Sequence, residues 1–79
     1  MVTPESIQSC IQAGLACERV EVVGDGQHFQ ALVVSAAFAG KSRIQRHQLV
    51  YAALGERMRE EVHALSMKTL TPEEFAAGG

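Results

Sequence analysis

The chain has 79 residues, of which 47% are hydrophobic and 20% are charged, and its formal net charge at pH 7 is −2. A chain of this length buries only about 60% of its unfolded surface, so we interpret residues 1–79 as a single domain with a thin core. The slightly negative charge argues against a general polyanion binder, because non-specific affinity for nucleic acids depends on phosphates neutralised by Lys and Arg.

The sequence also gives no indication of contact with a membrane. No apolar run approaches the roughly 20 residues that a spanning helix needs. The N-terminal stretch MVTPES lacks the basic start and the apolar region of a signal peptide. We therefore expect a cytoplasmic protein.

The N-terminal segment predicts an amphipathic helix that runs to about residue 16. Thr3 can cap this helix, Pro4 needs no hydrogen-bond donor in the first turn, and Glu5 faces the positive end of the helix dipole. Cys10 and Cys17 lie about 10 Å apart along such a helix, which is too far for a disulfide. The apolar residues at helical spacing are Ile7, Cys10, Ile11 and Leu15.

A β-hairpin is predicted next. Two runs rich in β-branched residues, 19–23 and 29–35, flank the turn sequence Gly24-Asp25-Gly26-Gln27. His28 directly follows this turn, where a polar turn residue is the ordinary interpretation.

A long helix is predicted over about residues 42–58. Gly40 ends the preceding AAFAG segment, which is a helical turn or a loop. Ser42 is a suitable N-cap for the helix that follows. Leu49 falls outside the apolar face of the helix, and His47 falls on it, as a core histidine hydrogen-bonded to backbone. The residues assigned to that face are Ile44, His47, Val50, Tyr51, Leu54 and Met58.

A third strand over about residues 62–68 and a last short helix complete the pattern. Thr71-Pro72-Glu73-Glu74 carries a proline for the first helical position and a glutamate placed for a capping box. Together the elements predict an α/β (α+β) two-layer sandwich, in which a three-stranded sheet buries one face under the helices.

His63 stands at the predicted start of the third strand. Alternation along a strand places it on the face of Leu65 and Met67, which we assign to the core, with Ser66 and Lys68 opposite. An imidazole at the rim of a sheet is more often a packing residue than a ligand, but its nitrogen can also bind zinc or iron. The chain has no CxxC or HxxxH motif to complete a metal site, so other ligands would come from elsewhere. His28 could serve as a second ligand if the first and third strands were neighbours.

One basic cluster is visible, and it opens the long helix. Free N–H groups and the helix dipole favour anions there. A solvated helix face is the ordinary explanation, and a phosphate or nucleic-acid contact is the alternative. No nucleophile with a base and an orienting group is apparent, so we interpret the protein as a non-enzyme without a small-molecule substrate. The cluster consists of Lys41, Ser42, Arg43, Arg46 and Lys68.

Two long motifs resemble the BolA family, and the likeness covers almost the whole chain, with its weakest part at residues 1–17. The first motif is F-x-G-K-S-R-x-x-R-H-x-x-V-Y, from Phe38 to Tyr51, and the second is V-H-A-L-S-x-K-T-x-T-P-E-E, from Val62 to Glu74. The short GDGQHF hairpin is similar to the IbaG-like branch of that family. The resemblance implies a type II KH-like fold with the order α-β-β-α-α-β-α, the added helical turn lying at AAFAG.

The resemblance also implies a function. BolA proteins pair with monothiol glutaredoxins, and the heterodimer shares a [2Fe-2S] cluster held by glutaredoxin cysteine, glutathione and a BolA histidine that corresponds to His63. No cofactor is then expected in the isolated chain. Relatives carry a second ligand in a longer loop, for which His28 is the candidate here. BolA proteins are also linked to transcriptional control, so DNA binding through the basic cluster is the alternative function, although Gly40-Lys41-Ser42-Arg43 lacks the second glycine of the KH phosphate clamp.

Overall fold

The computed structural model describes residues 2–62 and 64–78, apart from the side chains at positions 57, 59 and 61. Within these residues it contains three α-helices, a three-stranded sheet and one turn of 3₁₀ helix. Their order is α1 (Pro4–Gly14), β1 (Arg19–Gly24), β2 (His28–Val34), the 3₁₀ turn (Ala36–Phe38), α2 (Arg43–Glu61), β3 (Ala64–Leu70) and α3 (Pro72–Ala76). This order confirms the predicted fold, with the 3₁₀ turn as the added helical element. None of the helices in the described part of the chain is long and apolar enough to cross a membrane.

Each α-helix begins at a capping box. The hydroxyls of Thr3, Ser42 and Thr71 accept hydrogen bonds from backbone N–H groups three residues further on. The side chains of those later residues accept hydrogen bonds in return from the N–H groups of the three caps. Because a good N-cap stabilises a helix by about 1 kcal/mol, these boxes fix the three helix starts where the sequence predicts them.

The sheet has the order β1-β2-β3, with β1 antiparallel to β2 and β2 parallel to β3. The strand that neighbours β3 is therefore β2. The second-ligand role of His28 was predicted to require that the first and third strands are neighbours, and β1 and β3 are not neighbours. Since β2 itself begins at His28, the pairing of β2 with β3 brings this residue beside the start of β3 by another route.

Side-chain alternation divides the sheet into two faces, as predicted. On β3, Leu65 and Met67 are partly buried against the core, whereas Ser66 and Lys68 are exposed on the opposite face. We call the first face the inner face and the second the outer face. Helices α1 and α2 pack together on the inner side, α1 against β1 and α2 against β3. The buried core consists of Ile7, Ile11, Val20, Val22, Phe29, Ala31, Val33, Phe38, Val50 and Leu54.

Helix α2 differs from its prediction in four respects. It continues to Glu61, and the backbone leaves helical geometry at Gly55, whose φ is +82°. Ile44 was assigned to the buried face, which is wrong, because the residue is 71% exposed. At about 100° per residue, Ile44 lies about 120° around the helix from the fully buried Val50. Leu49, which was excluded from the face, is partly buried against the core.

The two cysteines are free and partly buried, as expected for residues too far apart to form a disulfide. Cys10 packs against the core from helix α1. Burial raises the pKa of the Cys17 thiol. A thiol with a raised pKa carries less of the reactive thiolate at neutral pH, so Cys17 does not have the environment of a nucleophile.

The two long helices approach closely at Gly14, where α1 ends two residues before its predicted end. A Cβ atom at Gly14 would lie 2.7 Å from Cα and 2.9 Å from the carbonyl oxygen of Ala53. Real Cβ atoms do not approach backbone this closely. The absence of a side chain at Gly14 therefore sets the spacing of α1 and α2 over the sheet.

We expect Gly14→Ala to lower the free energy of unfolding by about 1–3 kcal/mol, as overpacking does, measured by urea denaturation. Helix propensity alone predicts a gain of up to about 1 kcal/mol for the same change. Ala13→Gly at the exposed neighbouring position measures that propensity term and serves as the control. A Gly14→Ala protein as stable as the wild type would contradict the close approach of the two helices.

Candidate functional site

The hairpin turn places His28 by hydrogen bonds to one carboxylate. Asp25 accepts hydrogen bonds at Oδ1 from the N–H groups of Gln27 and His28, each 2.9 Å long. The bond from His28 contributes most to lowering the pKa of the Asp25 carboxyl. Gly26, with φ of +100°, allows the tight reversal. The exposed His28 then begins β2.

The parallel pairing of β2 and β3 brings a second segment to the same end of the sheet. His28 is level with Ala64, the first residue of β3. Helix α2 ends just before it, where the N–H of Val62 donates a 3.0 Å hydrogen bond to the carbonyl of Met58. His63, the principal predicted ligand, lies outside the described residues. Its role as a ligand stays a prediction.

Metal-binding groups are sparse in the described part of the chain. Within it, no three His, Cys, Asp or Glu side chains come close enough together to hold a metal ion. His28 is exposed at the end of the sheet where β2 and β3 begin, and its side chain forms no hydrogen bond or ion pair with another described residue. This arrangement offers isolated ligands and no complete coordination shell.

The predicted basic cluster converges on one groove between the start of α2 and the end of β3. Four of its five members, Lys41, Arg43, Arg46 and Lys68, line this groove, together with Glu74 from α3. The fifth, Ser42, caps the helix through its hydroxyl. The sequence therefore identified residues that the fold brings together, including Lys68 from a distant strand.

Arg46 differs from the other cations of the groove, because its guanidinium is committed to the fold. It donates hydrogen bonds to the carbonyl oxygens of Lys41 (3.1 Å) and Thr69 (3.0 Å). It also forms an ion pair with Glu74, with Nη1 2.7 Å from Oε1. The side chain of Arg46 is only 13% exposed, and its guanidinium carbon lies 5.9 Å from the ring centre of Phe38. An incoming phosphate would compete with four existing contacts.

Glu74 takes part in two of the contacts that fix α3. Its Oε1 accepts a 2.8 Å hydrogen bond from the N–H of Thr71 as well as the bond from Arg46. The Arg46 bond is the larger cause that lowers the pKa of Glu74 to about 2. The sequence showed the capping role of this residue through its spacing from Thr71, but the ion pair with a residue 28 positions away left no local signal.

His47 also lines the groove, and its surroundings argue against a ligand role. Its Nε2 is enclosed and forms no hydrogen bond with any described residue, so the expected bond to backbone is absent at this atom. Burial, with a smaller contribution from the charge of Arg43, lowers the pKa of His47. The lowered pKa favours the neutral imidazole, and the enclosed ring packs as a near-core side chain.

Comparisons with known proteins agree on one family. The model of the BolA-like protein family matches residues 4–74. The acid stress protein IbaG of Escherichia coli K12 is 42% identical over 71 residues, which cover 89% of this chain and 84% of that protein. The structure of a BolA homologue from Coxiella burnetii is 47% identical, covers 96% of this chain and 99% of its own, and superposes with a TM-score of 0.85. The DNA-binding transcriptional regulator BolA of Haemophilus influenzae is 41% identical over 54 residues, or 68% of this chain and 52% of that protein.

The Arg46–Glu74 ion pair predicts a specific dependence of stability on pH. Because the pKa of Glu74 in the folded chain is about 2, the pair contributes its full stability above the ordinary glutamate pKa of about 4.3. That contribution is lost as the pH falls toward about 2. Glu74→Gln should melt below the wild type at pH 7. The difference in Tm should then shrink steadily as the pH falls from about 4.3 to about 2.

Glu73→Gln is the matched control, since Glu73 is exposed on the same turn and forms no ion pair with a described residue. Its Tm at pH 7 should be close to that of the wild type. A Tm difference for Glu74→Gln that stays constant from pH 7 to pH 2 would contradict the lowered pKa.

Proposed function

The chain belongs to the BolA family, and from this we propose that it pairs with a monothiol glutaredoxin and shares a [2Fe-2S] cluster with it. In this role the chain acts in iron-sulfur cluster trafficking or in iron and stress regulation, and not as an enzyme. Its relatives bear the names of stress and regulatory proteins, among them the acid stress protein IbaG. His63 is the proposed ligand, and His28 is the candidate for a second one.

The register between β2 and β3 is the observation that carries this proposal. It sets the exposed His28 beside Ala64, the residue that follows His63 in the sequence. β2 and β3 therefore begin at the same end of the sheet. Because His28 lies on the outer face and the sequence pattern assigns His63 to the face of Leu65 and Met67, both could bind one cluster only at the rim between the two faces. Side-chain contacts in the described residues leave the His28 imidazole available.

The sparse ligand set suits a cluster that is shared between two proteins. A [2Fe-2S] cluster is held by four ligands, and imidazole in place of thiolate raises its reduction potential. The described residues include no group of three metal-binding side chains, so the thiolates of glutaredoxin and glutathione would supply the missing donors. When bound, the cluster would supply one-electron redox chemistry and exchangeable iron and sulfide. This chain would contribute imidazole nitrogen at the exposed end of the sheet.

Anaerobic reconstitution tests this proposal. The chain is mixed with a monothiol glutaredoxin, glutathione, iron and sulfide, and the heterodimer is examined by visible absorption and circular dichroism. His63→Ala should change both spectra and speed the loss of the cluster, because the vacated position is taken by another ligand. His28→Ala should shift the visible circular dichroism if His28 donates as well.

Gln30→Ala is the matched control, because Gln30 is the next exposed residue on the same face of β2 as His28. It should leave the spectra unchanged. Spectra that His63→Ala does not alter would contradict ligation by His63. Spectra that only His63→Ala alters would make it the sole ligand from this chain.

DNA binding is the second candidate function, and the basic groove is the observation that favours it. The name of the Haemophilus influenzae relative describes a DNA-binding regulator. Of the proposed nucleic-acid contacts, Lys41, Arg43 and Lys68 form no ion pair with a described residue, whereas Arg46 is held by Glu74. We therefore propose three phosphate contacts from this groove, with Ser42 and Arg46 positioning the backbone that carries them.

The salt dependence of binding to duplex DNA tests this alternative. Three phosphate contacts predict a slope of log K against log salt of roughly −2.7, at about −0.9 for each contact. Lys68→Ala should reduce the slope by about 0.9, and Arg19→Ala, which removes a cation outside the groove, should not. Absence of binding at low salt would exclude the DNA-binding function.

A further inference from the structure

The outer face of the sheet is largely uncovered, although it carries several apolar side chains. Val23 is 61% exposed, and Leu32 and Leu70 are partly buried in the same cleft, whose volume is about 560 Å³. Phe75 of α3 reaches over one end of this face, where the guanidinium carbon of Arg19 lies 5.1 Å from its ring centre. Between Phe75 and the hairpin turn, no described helix packs on the sheet.

The strand register arranges charges across this face in a definite order. Glu21 pairs with Leu32, and Leu32 pairs with Lys68, so the three residues form one row perpendicular to the strands. We call it the charged row. An acid thus stands on one edge strand, an apolar residue in the centre and a base on the other edge strand. Of the two adjoining rows, the one formed by Val23, Gln30 and Ser66 is uncharged, and the other begins with Arg19, which pairs with Glu21.

Both charges of the row remain accessible. The Glu21 side chain is 53% exposed while it pairs with Arg19 of the same strand. Lys68 is exposed and has no ion-pair partner among the described residues. The two residues cannot neutralise each other within the chain, since two strand spacings, about 9.6 Å, separate them.

We propose that the outer face is a self-association surface, on which a second copy of the chain packs face to face about a two-fold axis parallel to the strands. This axis exchanges the edge strands, so β1 of one copy lies over β3 of its partner. Glu21 then faces the partner's Lys68 on both sides of the axis, and the two Leu32 side chains meet between them. An isologous contact of this kind is self-complementary.

The order of charges selects this axis over the other two-fold arrangement. A two-fold axis that is perpendicular to the strands and parallel to the plane of the sheet would lay β1 over β1 and β3 over β3. Glu21 would then face Glu21 and Lys68 would face Lys68, which is repulsive. The charged row therefore specifies the relative direction of the two sheets as well as the pairing.

The size of the face predicts a weak complex. Three strands about 20 Å long at a spacing of about 4.8 Å present about 300 Å², well below the roughly 800 Å² per partner of a stable complex. Interfaces below the standard size belong to weak complexes, and we expect a dissociation constant on the order of 0.1–1 mM. Sedimentation velocity and NMR line widths between about 0.05 and 2 mM protein cover this range.

Charge reversals distinguish this specific contact from non-specific association. Glu21→Lys alone and Lys68→Glu alone should each weaken self-association at least about tenfold, because each variant places like charges opposite one another. An equimolar mixture of the two variants should associate about as strongly as the wild type, since both contacts across the axis are again between opposite charges. The double variant Glu21→Lys/Lys68→Glu should likewise recover self-association.

Glu56→Lys is the matched control, because Glu56 is an exposed residue on α2 and the change in net charge is the same as for Glu21→Lys. It should leave self-association intact, and its mixture with Lys68→Glu should associate no more strongly than Glu56→Lys does alone. Circular dichroism establishes that each variant is folded. A wild-type chain that stays monomeric at 2 mM overturns the proposal, and so does a mixture of the two single variants that fails to associate.

Discussion

The guanidinium of Arg46 joins parts of the chain that are distant in sequence. From the first turn of α2 it binds the loop at Lys41, the end of β3 at Thr69 and the helix α3 at Glu74. An arginine suits this position because its planar fork can donate to a carboxylate and to carbonyl oxygens at the same time. Without these bonds, α3 would be held mainly by its own capping box and by a few contacts with β3. The two family motifs, which meet at Arg46 and Glu74, are therefore parts of one structural unit.

Because Arg46 is bound to other parts of the fold, it does not count as a free cation of the basic cluster. Counting charges along the sequence gives four cations near the start of α2 and the end of β3, as though each could bind phosphate. The structure divides them into Arg46, which stabilises the fold, and three cations without an ion-pair partner among the described residues. Glu74 also introduces a negative charge into the groove. We therefore expect the groove to bind polyanions more weakly than its sequence suggests. The end of the sheet at His28 is the stronger functional candidate.

Local rules predicted most of the fold and only part of the site. Helix starts at Thr3, Ser42 and Thr71 follow from local capping signals, namely an N-cap residue at each start and a capping box predicted at Thr71. The faces of β3 follow from simple alternation. Strand order and the partner of Arg46 depend on contacts between distant segments, which no local pattern encodes. Ile44 was misplaced because spacing alone does not fix which angle of a helix faces the sheet, and that angle is centred on Val50. The break at Gly55 was missed because a single glycine within a helical pattern is usually tolerated.

The two proposed surfaces lie on one sheet, and their geometry connects them. His28 belongs to the outer face by alternation, four residues from Leu32 along β2. An axis parallel to the strands keeps the strand directions of both copies the same, so the two His28 edges would lie at the same end of the paired sheets. A glutaredoxin bound at that end of one copy would occupy space next to the second copy. Self-association and cluster sharing would then compete, and the weak contact expected from a face of this size would yield to a partner that also brings cluster ligands.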